Sequence, residues 1–475
     1  MEKPNILLII LDSVRAKNLG IYGHRNENTP FLSSFCKQAT VYTQARSPGI
    51  HSIASHISIF TGYEVEEHGL TEHNSKLDPS RTVWTTLSED GYDTGLFTPN
   101  AVITRSSNLG DSFDTVEGPL RRDVPYPSAL TLDDIEGSDK QIRNFVQKSL
   151  NHQETLRSLV NGVSLKFGQN VSHAPDQEAA PIYTDAFLQW VNEKVGPWAA
   201  CLNLMDAHYP YTPKEEFDLW GDEQLEQIHD DFPDGPGVAA FLNGNRPWWE
   251  VSALEARYDG CIRQLDAAIE QLITKLDKIN ELNDTYIIIS SDHGECFGES
   301  MDVCPNTRTI GHRYGVPEPL THIPLITRRP DQTRGEKVTD TTSLKLLPSA
   351  INQIRKNKNS GPLFLSDEPT LVSTYRLRKE GALTSYLERP EPYLGPWRAV
   401  YEDGECHVTK YIERGTDQAT IGIPDAQSSY IASTDCGGNV TEIFNGLQRV
   451  DIGKTGSSPL EENIESHLED LGYIQ

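Results

Sequence analysis

The residues able to do chemistry collect at the ends of apolar runs and in one hydroxyl-rich stretch. Residues 47–62, SPGIHSIASHISIFTG, crowd small and hydroxyl side chains into their first half. From Ser52 onward, Ser55, His56 and Ile59 recur at the spacing of one helical face. A helix beginning at Ser52 would set that hydroxyl among unpaired backbone N–H groups at a positive dipole end. Such an end favours a bound anion such as sulfate or phosphate. Taken alone, Ser52 reads as the N-cap of an ordinary amphipathic helix. Three apolar runs change the balance: ILLIILD ends at Asp12, CLNLMDAH at Asp206 and His208, and YIIISSDHG at Asp292 and His293. Asp12, Asp292 and His293 make a reasonable set of metal ligands, with the Ser52 oxygen as a fourth. An imidazole among carboxylates suits Mn²⁺ or Zn²⁺ better than Ca²⁺ or Mg²⁺. A cation held there would lower the pKa of the Ser52 hydroxyl and make it a nucleophile. Each acid taken singly reads as a cap or a loop salt bridge; the functional reading comes from their conjunction.

These residues need a scaffold that brings distant strand ends together. The run at 6–11 is too short to cross a bilayer and reads as a buried parallel strand. Further core strands are expected at 93–98, in WAACLNLMDAHYPY, in TYIIISSDHGE and in HIPLITRR from His322. Helices are expected from Pro30 to about 39, within TVWTTLSEDGYDTG and over 184–195. The most regular helix runs over 252–280, where Leu254, Tyr258, Ile262, Leu265, Ile269, Leu272 and Leu276 keep helical spacing. Strands alternating with helices predict an α/β fold, a large and mostly parallel sheet flanked by helices. Ligands bind such sheets outside the carboxyl ends of the strands, so Asp12, Asp206, His208, Asp292 and His293 should converge on one edge. Residues 121–181 are polar and poorly patterned, and read as helices and loops over the core. A surface insertion is expected over about 211–250. After residue 340 the pattern shifts to short strands and a final helix over 462–475. The expected organisation is a catalytic α/β domain over 1–340 and a smaller α+β domain over 341–475.

Composition bounds the partners. Forty-two basic residues against 69 acidic ones give a formal net charge of −27 over 475 residues. So acidic a chain argues against nucleic acid or anionic membrane as general partners. It suits solubility at high salt, so a halophilic source is expected. An anionic substrate would need a local positive site from metal, Arg or His. No transmembrane segment or export signal is seen, and seven scattered cysteines form no CxxC pair. Reduced thiols in a cytoplasmic protein follow.

Read together, these stretches resemble the sulfatase family of the alkaline-phosphatase-like superfamily. The resemblance rests on PNILLIILDSVRAKNLGIYG, TPFLSSF, SIASHISIFTG with His68-Gly69, LMDAHYPYTP, SDHGE, GHRYGVPEPLTHIPLI and a terminal LEDLGY like that of archaeal-type members. It implies an alkaline-phosphatase-like α/β domain with a smaller C-terminal sheet domain. It also implies cleavage or transfer of sulfate, phosphate or phosphonate esters through a covalent intermediate. On this resemblance Asp12, Asp292 and His293 fall on metal positions and Ser52 on the nucleophile position. His208 falls on a histidine that contacts the ester oxygens. His312 takes the place of a lysine near the leaving group, where its ordinary pKa suits a general acid. Two further residues are placed on the substrate side by position: His56, where the family has arginine, as an oxyanion partner, a neutral base or a plain helix histidine, and Asn100, ending a core strand in FTPN, as a hydrogen-bond partner of the substrate. Arg15, in a D-x-x-R pattern, joins that group in a supporting role. A second metal held by Asp206, His208 and His312 is a further expectation.

Departures from the family pattern shape the functional expectation. Typical members carry C/S-x-P-x-R, with the first residue converted to formylglycine; here the run is Ser52-Ile53-Ala54-Ser55-His56. An unmodified Ser52 is therefore expected to act directly as an alcohol nucleophile. Ser13 replaces the second acid of the usual D-D pair, and a histidine follows Asp292, as in transition-metal relatives. The expected function is metal-dependent cleavage or transfer of a sulfate or phosphate ester on a sugar, a lipid-linked glycan or a similar alcohol in cytoplasmic biosynthesis. Sulfate transfer to a surface-glycan precursor leads, plain ester hydrolysis is the alternative, and an inactive scaffold is the alternative of another class.

Overall fold

The structure, a computed structural model, describes residues 3–119, 179–230, 235–304, 306–356, 361–375, 382–435 and 438–454. Residues 121–178 of the segment expected as helices and loops over 121–181, and the terminal helix over 462–475, lie outside the described residues. The main sheet has eight strands. In chain order they are β1 (Asn5–Leu11), β2 (Thr40–Tyr42), β3 (Asp93–Phe97), β4 (Thr115–Glu117), β5 (Trp198–Leu204), β6 (Thr285–Ser290), β7 (Leu325–Arg328) and β8 (Glu336–Val338). Their spatial order is β8-β2-β7-β6-β1-β5-β3-β4. β1 lies centrally, parallel to β5 on one side and β6 on the other. Every residue of β1, β5 and β6 is buried, which is why these runs read as unbroken apolar segments rather than alternating ones.

One strand runs against the others: β7 is antiparallel to both β6 and β2. It begins at Leu325 rather than at His322, because Pro324 has no N–H to give a ladder. His322 makes only an isolated antiparallel bridge to Arg46. The sheet is therefore mostly parallel, as expected, with one reversal.

Both faces are covered. One apolar layer includes Tyr258, Ile262, Leu265, Ile269, Leu272 and Leu276, all on the buried side of α3 (Glu255–Lys278). The expected 252–280 helix is thus two pieces, with Trp249–Ala253 preceding α3. The opposite layer holds α1 (Ser52–Thr61), through Ile53, Ile57, Ile59 and Phe60, and α4 (Leu347–Arg355), through Leu347, Ala350, Ile351 and Ile354. α2 (Ala179–Asn192) starts earlier than the sequence suggests and lays Tyr183, Phe187 and Trp190 on the first layer.

A separate five-stranded antiparallel sheet follows: β9 (Thr370–Thr374), β10 (Trp397–Asp403), β11 (Val408–Arg414), β12 (Asp417–Ile423) and β13 (Tyr430–Ser433). Lys410 on β11 is wholly buried and reaches back to Asp302 Oδ2 at 2.8 Å and the Val316 carbonyl at 2.6 Å. No helix among the described residues is long and apolar enough to cross a membrane.

Candidate active site

The carboxyl ends of β1, β3, β5 and β6 converge as the sheet topology requires. Asp12 leaves β1 and stays in register by donating its N–H to the Leu204 carbonyl of β5 at 2.9 Å. Ser13 then takes a left-handed conformation, with φ of 64°. Such a backbone costs a non-glycine residue about 1–2 kcal/mol. Here it turns the Ser13 N–H toward Asp292 Oδ1 at 3.4 Å and lets the Ser13 hydroxyl donate to Asp12 Oδ1 at 3.2 Å. Tyr258 of α3 locks the turn, donating to the Ser13 carbonyl at 2.7 Å and accepting from the Arg15 N–H at 3.0 Å.

Asp12, Asp292 and His293 form a cluster whose ligand atoms all lie within 4.8 Å of one another, and all three are wholly buried. His293 Nε2 sits 3.4 Å from Asp292 Oδ2 and 3.9 Å from Asp12 Oδ1, while its Nδ1 faces the Gly294 carbonyl at 2.9 Å. That backbone bond commits Nδ1 and turns Nε2 toward the carboxylates. Burial raises the pKa of Asp12, the nearby Asp292 raises it further, and His208, His293 and His56 oppose the rise. Burial pushes Asp292 up to about 6, against the N–H groups of Ser13 and His293 and the charges nearby. Two carboxylates held this close repel each other unless a cation stands between them.

Asp292 Oδ2 is buried and makes no hydrogen bond within the described protein. A buried carboxylate oxygen without a donor is costly, whereas a divalent ion coordinated by oxygen and imidazole would satisfy it. The donor set therefore fits a divalent cation. Asp12 Oδ2 is steadied from the other side by Asn100 Nδ2 at 3.0 Å and Asn203 Nδ2 at 3.3 Å.

α1 brings Ser52 to this cluster. His51 is extended, Ser52 is the first helical residue, and the helix stops at Gly62, whose φ of 83° suits a residue without a side chain. The Ser55 hydroxyl donates to the Asp292 carbonyl at 2.5 Å, and His56 Nδ1 meets the Ser52 carbonyl at 2.9 Å and Asp292 Oδ2 at 3.6 Å. The i, i+3, i+4 face read from the sequence is thus the face turned toward the strand ends. Ser52 Oγ is buried and makes no hydrogen bond of good geometry within the described protein. It lies close enough to the Asp292 carboxylate to help lower its pKa. Burial lowers the pKa of His56, whose Nε2 is buried and makes no hydrogen bond within the described protein.

The remaining expected residues divide. His208 and His312 approach the cluster, with ring centroids 5.3 Å apart and His312 only 4.3 Å from His293. They line a cavity together with Tyr209, Tyr211 and Phe297. Asn100 reaches the site, but its amide group is spent on Asp12 and its carbonyl on the Val102 N–H at 2.9 Å. Arg15 is fully buried, paired with Glu255 and Glu299, bonded to Asn18, and seated 4.9 Å from the Phe297 ring. It braces the loop after β1 against α3. Asp206 is turned away to Gln264, whose Nε2 donates to Oδ1 at 3.0 Å. Among the described residues the Asp206, His208 and His312 side chains do not form a metal-sized cluster; Asp12, Asp292 and His293 do.

Two residues escaped the sequence reading. Asn203 lies inside a core strand and reads as strand interior. Glu295 closes the SDHGE run, but as the last letter of a strand-end motif it reads as a loop acid. In the structure it is buried, and burial pushes it up to about 8.

The sulfatase family profile matches residues 4–354. Among characterised relatives, the chain is 24% identical over 310 residues to an arylsulfatase of Clostridium perfringens, covering 62% of this chain and 64% of the relative. It is 22% identical over 391 residues to the N-acetylgalactosamine-6-O-sulfatase of Bacteroides thetaiotaomicron, covering 71% and 69%. The first of these matches thus spans somewhat less than two thirds of the relative's length. Among solved structures, phosphonate monoester hydrolase of Agrobacterium radiobacter superposes with a TM-score of 0.59 at 16% identity, over 94% of each chain. The fold is that of the alkaline-phosphatase-like enzymes, and the chain belongs to the sulfatase family.

Proposed function

We propose that the protein is a metal-dependent enzyme that breaks a sulfate or phosphate ester through a covalent intermediate on Ser52. One observation carries the reading: a buried Ser52 hydroxyl, with no hydrogen bond of good geometry in the described protein, stands at a helix N-terminus beside the Asp12–Asp292–His293 cluster. A divalent cation on those three residues would supply Lewis acidity, making the Ser52 hydroxyl acidic enough to pass its proton to solvent and drawing charge from the ester oxygens. Mn²⁺ and Zn²⁺ suit the imidazole better than Ca²⁺. Ser52 Oγ then forms a bond to sulfur or phosphorus as the bond to the leaving oxygen breaks, its electron pair staying with that oxygen. His312 gives the leaving oxygen a proton, and His208 and His56 face the oxygens of the transferred group. Asn100 and Arg15 support the site by fixing Asp12 and the loop after β1.

A second acceptor must take the group from Ser52. An unmodified serine ester has no hemiacetal route to release sulfate, which favours transfer to an acceptor hydroxyl over plain hydrolysis. The galactosamine sulfatase relative points to a sulfated sugar as substrate. Six cysteines of the described chain are free, in keeping with a cytoplasmic role in glycan biosynthesis. The catalytic unit is taken as 1–340 and the smaller domain as 341–475.

A panel of sugar sulfate and phosphate esters, with Mn²⁺ or Zn²⁺, tests the reading on wild type and Ser52→Ala. Turnover confined to wild type supports it; equal turnover by both proteins refutes the Ser52 intermediate. Trapping the adduct and following its decay separates the fates. Faster decay with a sugar acceptor means transfer, and equal decay in water means hydrolysis. Metal analysis of protein purified without chelator addresses the scaffold reading, which requires a metal-free and inert sample.

A further inference from the structure

The surface insertion expected over 211–250 carries a helix, Glu223–Asp230, and His229 is its one buried side chain. Leu225 and Ile228 of the same helix are only partly covered, so the imidazole is its deepest point of contact. That imidazole reaches the stretch after β5, where His208 leads into Tyr209, Pro210 and Tyr211. The Tyr211 N–H donates to His229 Nε2 at 2.9 Å. The His229 ring lies 5.4 Å from the Tyr209 ring and 6.2 Å from the Tyr211 ring. Arg257 of α3 takes the other end of the same residue, its Nε donating to the Tyr211 carbonyl at 3.0 Å. A backbone N–H can only donate, so Nε2 is the bare nitrogen of His229. The ring hydrogen is then on Nδ1, 3.6 Å from Asp230 Oδ1. Burial, reinforced by Arg257, lowers the pKa of His229, in keeping with a neutral ring.

His208 depends on this stretch. A carbonyl can only accept, so His208 Nδ1 donates to the Tyr209 carbonyl at 2.7 Å. The group that orients the His208 ring thus belongs to the short segment whose end His229 and Arg257 hold. Tyr209 and Tyr211 also line the cavity that His208 lines. We propose that His229 is a positioning residue: by accepting the Tyr211 N–H it fixes the Tyr209–Tyr211 backbone and, through the Tyr209 carbonyl, the angle at which His208 meets the oxygens of the transferred group. This rests on the proposed ester chemistry and on the place of His208 in it. No bond of the reaction forms or breaks on His229, which acts through backbone groups alone. The insertion is thereby a working part of the site, because its helix brings the acceptor for the Tyr211 N–H.

The test compares His229→Gln, His229→Asn and His229→Leu. A glutamine places an amide oxygen near the position of Nε2, an asparagine ends short of it, and a leucine has no acceptor. A misplacement of about 1 Å in a group that acts on the transition state costs up to about 10²-fold. H229N and H229L should therefore lower kcat on the preferred ester by about tenfold or more, with KM within about twofold of wild type. H229Q should restore kcat to within about threefold. Added to His208→Ala, H229N should cost no more than about twofold, since the angle of an absent imidazole cannot matter. Equal kcat in all three variants, a loss confined to KM, or a full further loss in the His208→Ala background overturns the proposal. If H229L does not fold, H229N and H229Q carry the comparison. Two readouts need no turnover. In nitrogen-15 spectra of histidine-labelled wild type, with His229 assigned by its absence in H229Q, hydrogen on Nδ1 supports the contact and hydrogen on Nε2 refutes it. In crystal structures of wild type and H229N, the His208 ring should move by about 1 Å; an unmoved ring refutes the coupling. If wild type turns over no ester, the functional reading fails, while the spectra and the His208 displacement still decide whether His229 holds the segment.

Discussion

Two buried carboxylates in this protein have opposite electrostatics. Asp292, at the end of β6, is pushed up to about 6, with burial the largest cause. Burial acts on Glu318 in the same direction, yet its carboxyl falls to about 2, because Arg46, Lys410 and His322 outweigh the burial. Glu318 Oε2 lies 3.0 Å from Arg46, while Oε1 lies 3.3 Å from Lys410 and accepts the Tyr401 hydroxyl at 3.0 Å. Asp292 has instead backbone N–H groups, histidines and a second carboxylate. The chain supplies Glu318 with its own cations, including one from β11 of the C-terminal sheet. At Asp292 it builds a concentration of negative charge that a bound cation would balance. Similar burial therefore accompanies a structural joint in one place and the proposed reaction centre in the other.

The sharpest way to break this contrast is to neutralise each acid in turn. Asp292→Asn should lower kcat on the preferred ester by at least about 10³-fold, a barrier increase of about 4 kcal/mol. It should not lower the melting temperature of metal-free protein, since it removes a buried charge that lacks a side-chain cation. It should also abolish the rise in melting temperature that added Mn²⁺ or Zn²⁺ gives wild type. A metal-free D292N that melts well below wild type would place Asp292 among the structural acids.

Glu318→Gln should do the reverse. It leaves Arg46 buried without its carboxylate and Lys410 with Asp302 alone, and the shift from 4.5 to about 2 corresponds to about 3 kcal/mol. Urea unfolding at neutral pH should show a loss of that order, while metal binding and kcat in the folded protein stay near wild type. Unchanged urea stability would mean the ion cluster adds nothing net.

The pH dependence follows from the same shift. The folded carboxyl binds its proton less tightly than the unfolded one, so its stabilisation is complete above the unfolded pKa near 4.5. It fades as pH falls from there toward about 2. The stability gap between wild type and E318Q should therefore be constant at neutral pH, narrow below about 4.5 and close near 2. A gap that does not narrow would mean that lost packing rather than lost charge explains the variant.

Much of this was legible in the sequence. Continuous apolar runs closed by Asp12, by Asp292 and His293, and by His208 announced parallel core strands, because strands buried on both faces need no polar alternation. The helical face of Ser52, Ser55 and His56 was readable from spacing alone. The reversed direction of β7 was not, since antiparallel pairing leaves no mark on a short apolar strand. The roles of Arg15 and Asp206 were also hidden. Both stand in stretches that read as the site, but their partners Glu255 and Gln264 come from α3, some 240 and 58 residues along the chain. Glu295 was hidden for a similar reason, because only the fold brings His312 Nδ1 to 3.4 Å from its Oε2.

Ser13 offers the smallest and most informative change. Its left-handed backbone already turns an N–H toward Asp292, and its hydroxyl reaches Asp12. Aspartate is among the side chains that tolerate this conformation. Ser13→Asp would add a third carboxylate to the cluster and enlarge its deficit of positive charge. Hard cations with oxygen ligands gain most from such an addition, so Ca²⁺ affinity should rise about tenfold, or about 1.4 kcal/mol, relative to Zn²⁺. Without metal the added repulsion should cost stability, and calcium should restore it. Calorimetric titration of both ions into wild type and S13D measures the change. An unaltered Ca²⁺ to Zn²⁺ ratio would mean that position 13 does not face the bound ion. A raised one would trace cation preference to the single residue after Asp12.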